Sequence, residues 1–295
     1  HLPFRLSASL YIFFGKAKST NYFTDSLMMI LLFGLAVITN ANGENTATRK
    51  KQDDRKNDAY PLICNGVLLG GYSNNQWLDE NTILDKISGK EKYKIYSFDS
   101  FLGEVVGKKT ADRDGKVEIK HTGFAPHDYV AISCPWNALP RVPKKLSSKN
   151  KQYQEIVQKI LISHGLGKDI PINIRQIVKV DLEGDGVDEV LIAADNITPP
   201  ARAYYRNNEY SILLLRKVIG GGVKNIFIAK DIIITKKEFE EITPVTHEVK
   251  SFIDADGDGI LEVMIQSEYY EGISYGLYKV VGDEIKLLLE ATVGE

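Results

Sequence analysis

Short apolar runs separated by polar turns fill the chain from Tyr60 to about Pro140. "LICNGVLLGGY", "KYKIYSF", "LGEVVG", "KVEIK" and "DYVAISC" each have strand length, with Gly, Asp and Asn between them. That rhythm predicts a β-rich N-terminal domain over residues 60–140. A short helix is predicted at "DENTILDKI", with Asp79 as its cap. The pattern then changes. "RVPKKLSSKN", residues 141–150, reads as a connector. In the segment that follows, Tyr153, Ile156, Val157, Ile160 and Leu161 share one face at helical spacing. Ser147 or Ser148 stands where a cap is wanted, and Gly165 or Gly167 where a helix ends. His164 falls in the last turn, where a cation suits the helix dipole. Residues 141–170 are therefore a connector with one amphipathic helix.

From residue 171 the β pattern returns, now in duplicate. Unit one runs "IRQIVKV", an acidic loop, "EVLIAAD", "YSILLLRKV" and "VKNIFIAKDIII". Unit two runs "HEVKSFI", an acidic loop, "EVMIQSE", "YGLYKV" and "DEIKLLLEATV". The tyrosines Tyr204, Tyr205 and Tyr210 have counterparts in Tyr269, Tyr270 and Tyr275, 65 residues on, whereas the loops are 73 apart. An insertion around "NITPPARA" in unit one accounts for the difference. The expected fold is mainly β with one or two helices, an α+β arrangement. Residues 171–295 are expected to form two four-stranded repeats resembling propeller blades.

The two loops carry the most specific chemistry. In unit two, Asp254, Asp256 and Asp258 occupy positions 1, 3 and 5, with Gly259 at 6 and Glu262 at 9. In unit one the same positions hold Asp181, Glu183, Asp185, Gly186 and Glu189. Calcium takes six to eight hard oxygen ligands, and a curled loop aims alternate side chains at one point. Glycine at position 6 permits the sharp turn. Position 7, Val187 or Ile260, offers a backbone carbonyl. Four carboxylates in so short a loop repel one another unless a cation neutralises them. Zinc is disfavoured, because neither loop contains Cys or His. An EF-hand needs a bidentate Glu at position 12 and a helix after it. Here position 12 is Ile192 or Ile265 and the following residues are β-formers. Asp-Gly turns without any metal are common, but two in register within a duplication favour calcium. The upstream "ADRDG", with Asp112 and Asp114, lacks the third acid and reads as an ordinary turn.

The stretches "DLEGDGVDE" and "DADGDGILE", each ahead of an apolar strand, resemble the FG-GAP or VCBS-type calcium loops of integrin-like β-propellers. The resemblance implies Ca2+ held by Asp181, Glu183, Asp185, Val187 and Glu189 at one site. At the other it implies Asp254, Asp256, Asp258, Ile260 and Glu262. Glu183 departs from the Asp or Asn that the pattern has at position 3. Two units do not close a propeller ring. From about Tyr60 onward the chain is also similar to exported bacterial proteins with such loops. "GGYSNNQWLDE", "WNALPR" and "SEYYEG" are among the stretches that carry this second likeness.

Charge and the N-terminal segment bound the setting. Net charge is −2, from 37 basic and 39 acidic residues, which does not favour a nucleic-acid partner. "SLMMILLFGLAVI", Ser26–Ile38, is an apolar run shorter than a membrane span, with basic residues before it and small ones after. Residues 1–43 are thus expected to be a signal peptide or N-terminal anchor, and residues 44–59 a solvated, disordered linker. With the signal cleaved, no membrane span is expected. The setting is secreted or cell-envelope. Cys64 and Cys134 leave a disulfide and two buried thiols equally open.

No catalytic constellation is recognisable among His1, His121, His127, His164 and His247. Gly220–Gly222 joins two strands and cradles no phosphate. The expected function is an exported, calcium-binding, non-enzymatic module for a protein or glycan ligand. The alternative is an exported hydrolase with structural calcium and an acid–base site at His121, His127 and Asp128. Aromatic residues including Trp77 and Trp136 suit a binding platform or sheet packing.

Overall fold

The structure, a computed structural model, describes residues 59–111, 117–119, 128–198, 203–235 and 243–294. The expected signal segment and most of the linker, Asp112, Asp114, His121, His127, Pro199, Pro200 and Arg202 lie outside the described residues.

The expected mainly-β architecture is what forms. Three sheets stack with a helix on each outer side. The first strands are β1 (Ala59–Cys64), β2 (Val67–Ser73) and β3 (Gln76–Asp79), followed by helix α1 (Glu80–Leu84). Next come β4 (Lys92–Tyr96), β5 (Phe101–Val106), the small hairpin β6 (Lys109–Ala111) and β7 (Val117–Ile119), and β8 (Val130–Ile132). The N-terminal sheet has the order β3-β2-β1-β8-β4-β5. Its early hairpins turn at Asn65-Gly66 and Asn74-Asn75, and all four residues have positive φ. Asn and Gly tolerate that conformation, which the tight two-residue hairpin turn requires. Asp79 caps α1 as expected, accepting a 2.8 Å hydrogen bond from the Thr82 N–H.

Strand β9 (Lys144–Leu146) leads into helix α2 (Lys151–Ser163). Its cap is Asn150, which accepts from Gln152 N at 3.0 Å, and neither serine takes that place. Ser147 is occupied by the preceding turn, where its carbonyl accepts from Asn150 N. Gly165, at φ +97°, closes the helix. Gly165 N donates to Ile162 O and Leu166 N to Leu161 O, the paired bonds of a glycine-terminated helix end. His164 Nδ1 lies 2.9 Å from the Ile160 carbonyl, so its place is the helix end.

The two repeats form two antiparallel meanders. The first comprises β10 (Ile174–Val180), β11 (Glu189–Asp195), β12 (Glu209–Ile219) and β13 (Gly222–Ile233), and β9 pairs onto β10 as a fifth strand. The second comprises β14 (Thr246–Ile253), β15 (Glu262–Tyr269), β16 (Gly272–Val281) and β17 (Glu284–Gly294). Gly220 and Gly221 make the β12–β13 turn.

Alternation along the strands decides which layer each residue fills. Leu191 and Ala193 of β11 pack with Val263 and Ile265 of β15 between the meanders. Their neighbours Val190, Ile192 and Ala194 face α2 through Val157 and Leu161. Met264 and Leu277 of the second meander pack against Leu62, Tyr96 and Ile132 of the N-terminal sheet. Ile63 and Ile95 face the opposite way, onto Ile83 and Leu84 of α1. Strands buried on both faces explain why runs such as "EVLIAAD" and "YSILLL" are continuously apolar.

Both cysteines are buried free thiols. Cys64 sits opposite Val130, and Ser133 N still bonds to Pro61 O, so the strands stay side by side. Cys134 is therefore displaced along the strand by roughly 13 Å, beyond the ~7 Å Cα separation that a disulfide spans.

Candidate metal centre

The two acidic loops connect β10 to β11 and β14 to β15, and they fold alike. In each, the position-1 aspartate turns inward and collects loop N–H groups. Asp181 accepts from Gly184 N at 2.6 Å and from Gly186 N at 2.9 Å. Asp254 accepts from Gly257 N at 2.8 Å and from Gly259 N at 3.1 Å. The position-5 aspartates, Asp185 and Asp258, each accept from the N–H of position 7, Val187 or Ile260, at 2.8 Å. The position-9 glutamates, Glu189 and Glu262, are buried and each accepts from the N–H of position 2 at 2.9 Å. Positions 4 and 6 both carry glycine at positive φ, between +75° and +86°. Ligand spacing by itself accounts only for the glycine at position 6.

Loop two gathers its acids. One oxygen each from Asp254, Asp256 and Glu262 lies within 4.8 Å of the others. Asp254 is 5% exposed and Glu262 is fully buried. Asp258 stands at the solvent side. Loop one does not gather Asp181, Glu183, Asp185 and Glu189 in that way. Val187 is exposed, and Ile260 is half-buried.

The neutralising charge expected from a metal alone is partly supplied by lysine. Lys279 Nζ lies 2.8 Å from Asp256 Oδ2, 2.7 Å from Asp258 Oδ2 and 2.8 Å from Glu262 Oε1. In loop one, Lys217 Nζ lies 2.5 Å from Glu183 Oε1. The lysines are register equivalents. Lys217 follows Arg216, the partner of Val190, and Lys279 follows Tyr278, the partner of Val263. Val190 and Val263 each follow the position-9 glutamate.

Lys279 does not fully offset the burial and crowding of the loop-two carboxylates. Burial, and then the charge of Asp256, push the Glu262 carboxyl up to about 8, despite Lys279. Burial also raises Asp254, with Asp256 and Asp258 adding to it against the two glycine N–H groups. Glu262 Oε1 finds no well-aligned hydrogen-bond donor, its contact with Lys279 being an ion pair off the hydrogen-bond directions. For Asp258, burial works against ionisation, but the Lys279 and Ile260 N–H bonds hold the carboxyl below its ordinary range. For Asp181, burial is outweighed by its three loop N–H bonds, which hold it low. A buried, incompletely compensated carboxylate set of hard oxygens fits a divalent cation, whose charge would reverse those upward shifts.

The stretch "WNALPR" holds the loops together. Trp136 Nε1 donates to Asp254 O at 2.8 Å, and Asp254 N donates to Ala138 O at 2.8 Å. Arg141 donates to Asp181 O at 2.6 Å, Leu182 O at 2.8 Å and Gly259 O at 2.7 Å. Leu261 N completes the link to Leu182 O at 2.9 Å. The N-terminal sheet positions this clamp. Lys94 Nζ donates to Trp136 O at 2.6 Å, and Tyr96 Oη accepts from Ala138 N at 3.1 Å.

Neither the clamp nor the lysines stand out as site residues from sequence. A signal for the lysines is nonetheless present: "RKV" and "YKV" place Lys-Val at the same point of two otherwise apolar strands. Of the hydrolase candidates, Asp128 is exposed and pairs with Lys250 Nζ at 2.7 Å. Tyr205, Tyr210 and Tyr275 are buried, whereas Tyr204 and Tyr270 are exposed, so each repeat splits its tyrosines between core and surface.

Among the described residues no helix is long and apolar enough to cross a membrane. No family model, curated protein or solved structure matches this chain.

Proposed function

We propose that this chain is an exported, calcium-binding, β-rich module that acts as a binding or structural element rather than as an enzyme. The observation that carries the reading is the convergence of Asp254, Asp256 and Glu262 on a point inside 4.8 Å. Asp258 and the Ile260 carbonyl would complete the donor set, as they do in the FG-GAP-type loops that "DADGDGILE" resembles. Calcium suits it because every donor is a hard oxygen. The ion would fasten the β14–β15 connection and, through the Gly259–Arg141 contact, the neighbouring loop. Loop one is the second candidate, with Asp181, Glu183, Asp185, Val187 and Glu189. Export rests on the apolar segment Ser26–Ile38, and a protein or glycan is the proposed partner class.

Thermal melts in EDTA and then in calcium, with titration calorimetry on the same sample, test the reading. Binding of at least one ion, at loop two, with a raised Tm is expected. An unchanged Tm together with no heat of binding rejects it.

A further inference from the structure

Resting on that metal reading, we infer that Lys279 is a tethered competitor for the cation, so that calcium enters loop two by displacing its ammonium. Lys279 hydrogen-bonds Asp256 and Asp258 and forms an ion pair with Glu262, so its ammonium lies against three carboxylate oxygens. Two of those residues, Asp256 and Glu262, belong to the set that converges for a metal. The ammonium therefore sits on two of the carboxylates that an ion would use. Its contacts, 2.7 to 2.8 Å, exceed calcium–oxygen distances of about 2.3–2.6 Å by only a few tenths of an ångström. One cage accommodates either occupant with little change in the loop.

The loop is built to persist through the exchange. Asp254 is held by Gly257 N and Gly259 N, and Glu262 Oε2 by Ala255 N, none of which involves the lysine. Lys279 enters from β16, the strand that pairs with β15, and its side chain is 12% exposed. It has a way out to solvent that the fully buried Glu262 lacks. The duplication argues against coincidence: Lys217 occupies the register-equivalent place and reaches Glu183. There the ammonium meets a single carboxylate at the one ligand position that departs from the Asp or Asn pattern. A lysine at this register therefore scales the affinity of each loop. It also keeps the acidic turn folded when calcium is scarce.

The test compares the full chain with Lys279→Met, using calcium chloride as the titrant at fixed pH and salt. Removing the competitor is expected to tighten calcium binding by about two- to fivefold, the scale of one partly exposed ion pair. The melting temperature in EDTA is expected to fall and to recover in calcium. Calcium binding by the wild type that becomes tighter in Lys279→Met supports the competition. Equal or weaker binding by the variant, with the wild type binding normally, overturns it while leaving the metal reading intact. Absence of binding by both proteins defeats the metal reading and this inference together. If Lys279→Met does not fold, the wild type still decides. Acetylation of Lys279, followed by mass spectrometry, is expected to be slow in EDTA and faster at saturating calcium. Equal labelling in both states, with calorimetry showing the ion bound, overturns the exchange.

Discussion

The side chain of Gln176 pairs with the backbone of Val249 as a neighbouring strand would. Its Nε2 donates to Val249 O at 2.9 Å, and its Oε1 accepts from Val249 N at 2.8 Å. The two residues occupy equivalent places in the duplicated units, 73 positions apart. One amide thus joins the first strands of the two meanders where their main chains do not pair.

Gln176→Ala leaves both Val249 groups without this partner. Stability is expected to fall by about 1–3 kcal/mol, the usual cost of unsatisfied, partly buried polar groups. Urea unfolding checks this, with a lower midpoint and an unchanged slope.

The loop-two glycines separate strain from crowding. Gly257 has φ +78°, and a Cβ there would stand 3.2 Å from three atoms of the Trp136 ring. Gly259 has φ +86° with open space around the same point. Gly259→Ala is expected to cost about 1–2 kcal/mol from left-handed backbone alone. Gly257→Ala is expected to cost more and to shift the Trp136 fluorescence, because the indole must move. Equal losses with unchanged emission would count against the clamp.

Burial lowers the His247 imidazole to about 4 from its ordinary 6.5, with the charge of Asp195 opposing the shift. Its Nδ1 sits 2.9 Å from Ser267 Oγ, and its Nε2 has no hydrogen-bond partner. The unfolded chain therefore takes up a proton that the folded chain refuses. The contribution of His247 is complete above pH 6.5, declines as the pH falls towards 4, and then levels off. The total loss is about 3 kcal/mol, because each tenfold drop in proton affinity is worth ~1.4 kcal/mol. His247→Gln is expected to flatten that part of the stability–pH curve in denaturant melts.

Burial raises both thiols, Cys64 and Cys134, to about 12. Native protein is expected to resist thiol reagents, and guanidinium-unfolded, non-reduced protein to titrate two thiols per chain. Zero thiols in the unfolded sample would show that the cysteines pair.

Much of this fold is legible in the sequence because its strands are short apolar runs set off by polar, glycine-containing turns. The four-strand repeats, the Asp79 cap and the acidic loops are all readable from local pattern. Long-range placement is not. Nothing in "YVAISC" tells that β8 inserts between β1 and β4, since sheet order depends on partners distant in sequence. Local pattern offers a serine as the cap of α2, but the serine's own turn bonds leave that place to Asn150. At the site, the acids are visible through their spacing. Lys217, Lys279, Trp136 and Arg141 escape notice as members because a lysine in a strand ordinarily reads as solvent-facing. The connector holding Arg141 has no periodicity to interpret.

The layered core has a practical meaning for anyone cutting this gene into fragments. The second meander is wedged between two other sheets, and both its broad faces are greasy. A piece starting at residue 171 would leave Met264 and Leu277 bare and forfeit the indole and guanidinium that pin the turns. Expression vectors designed around the repeat alone should therefore yield aggregates, and the sensible unit of study begins no later than Ala59.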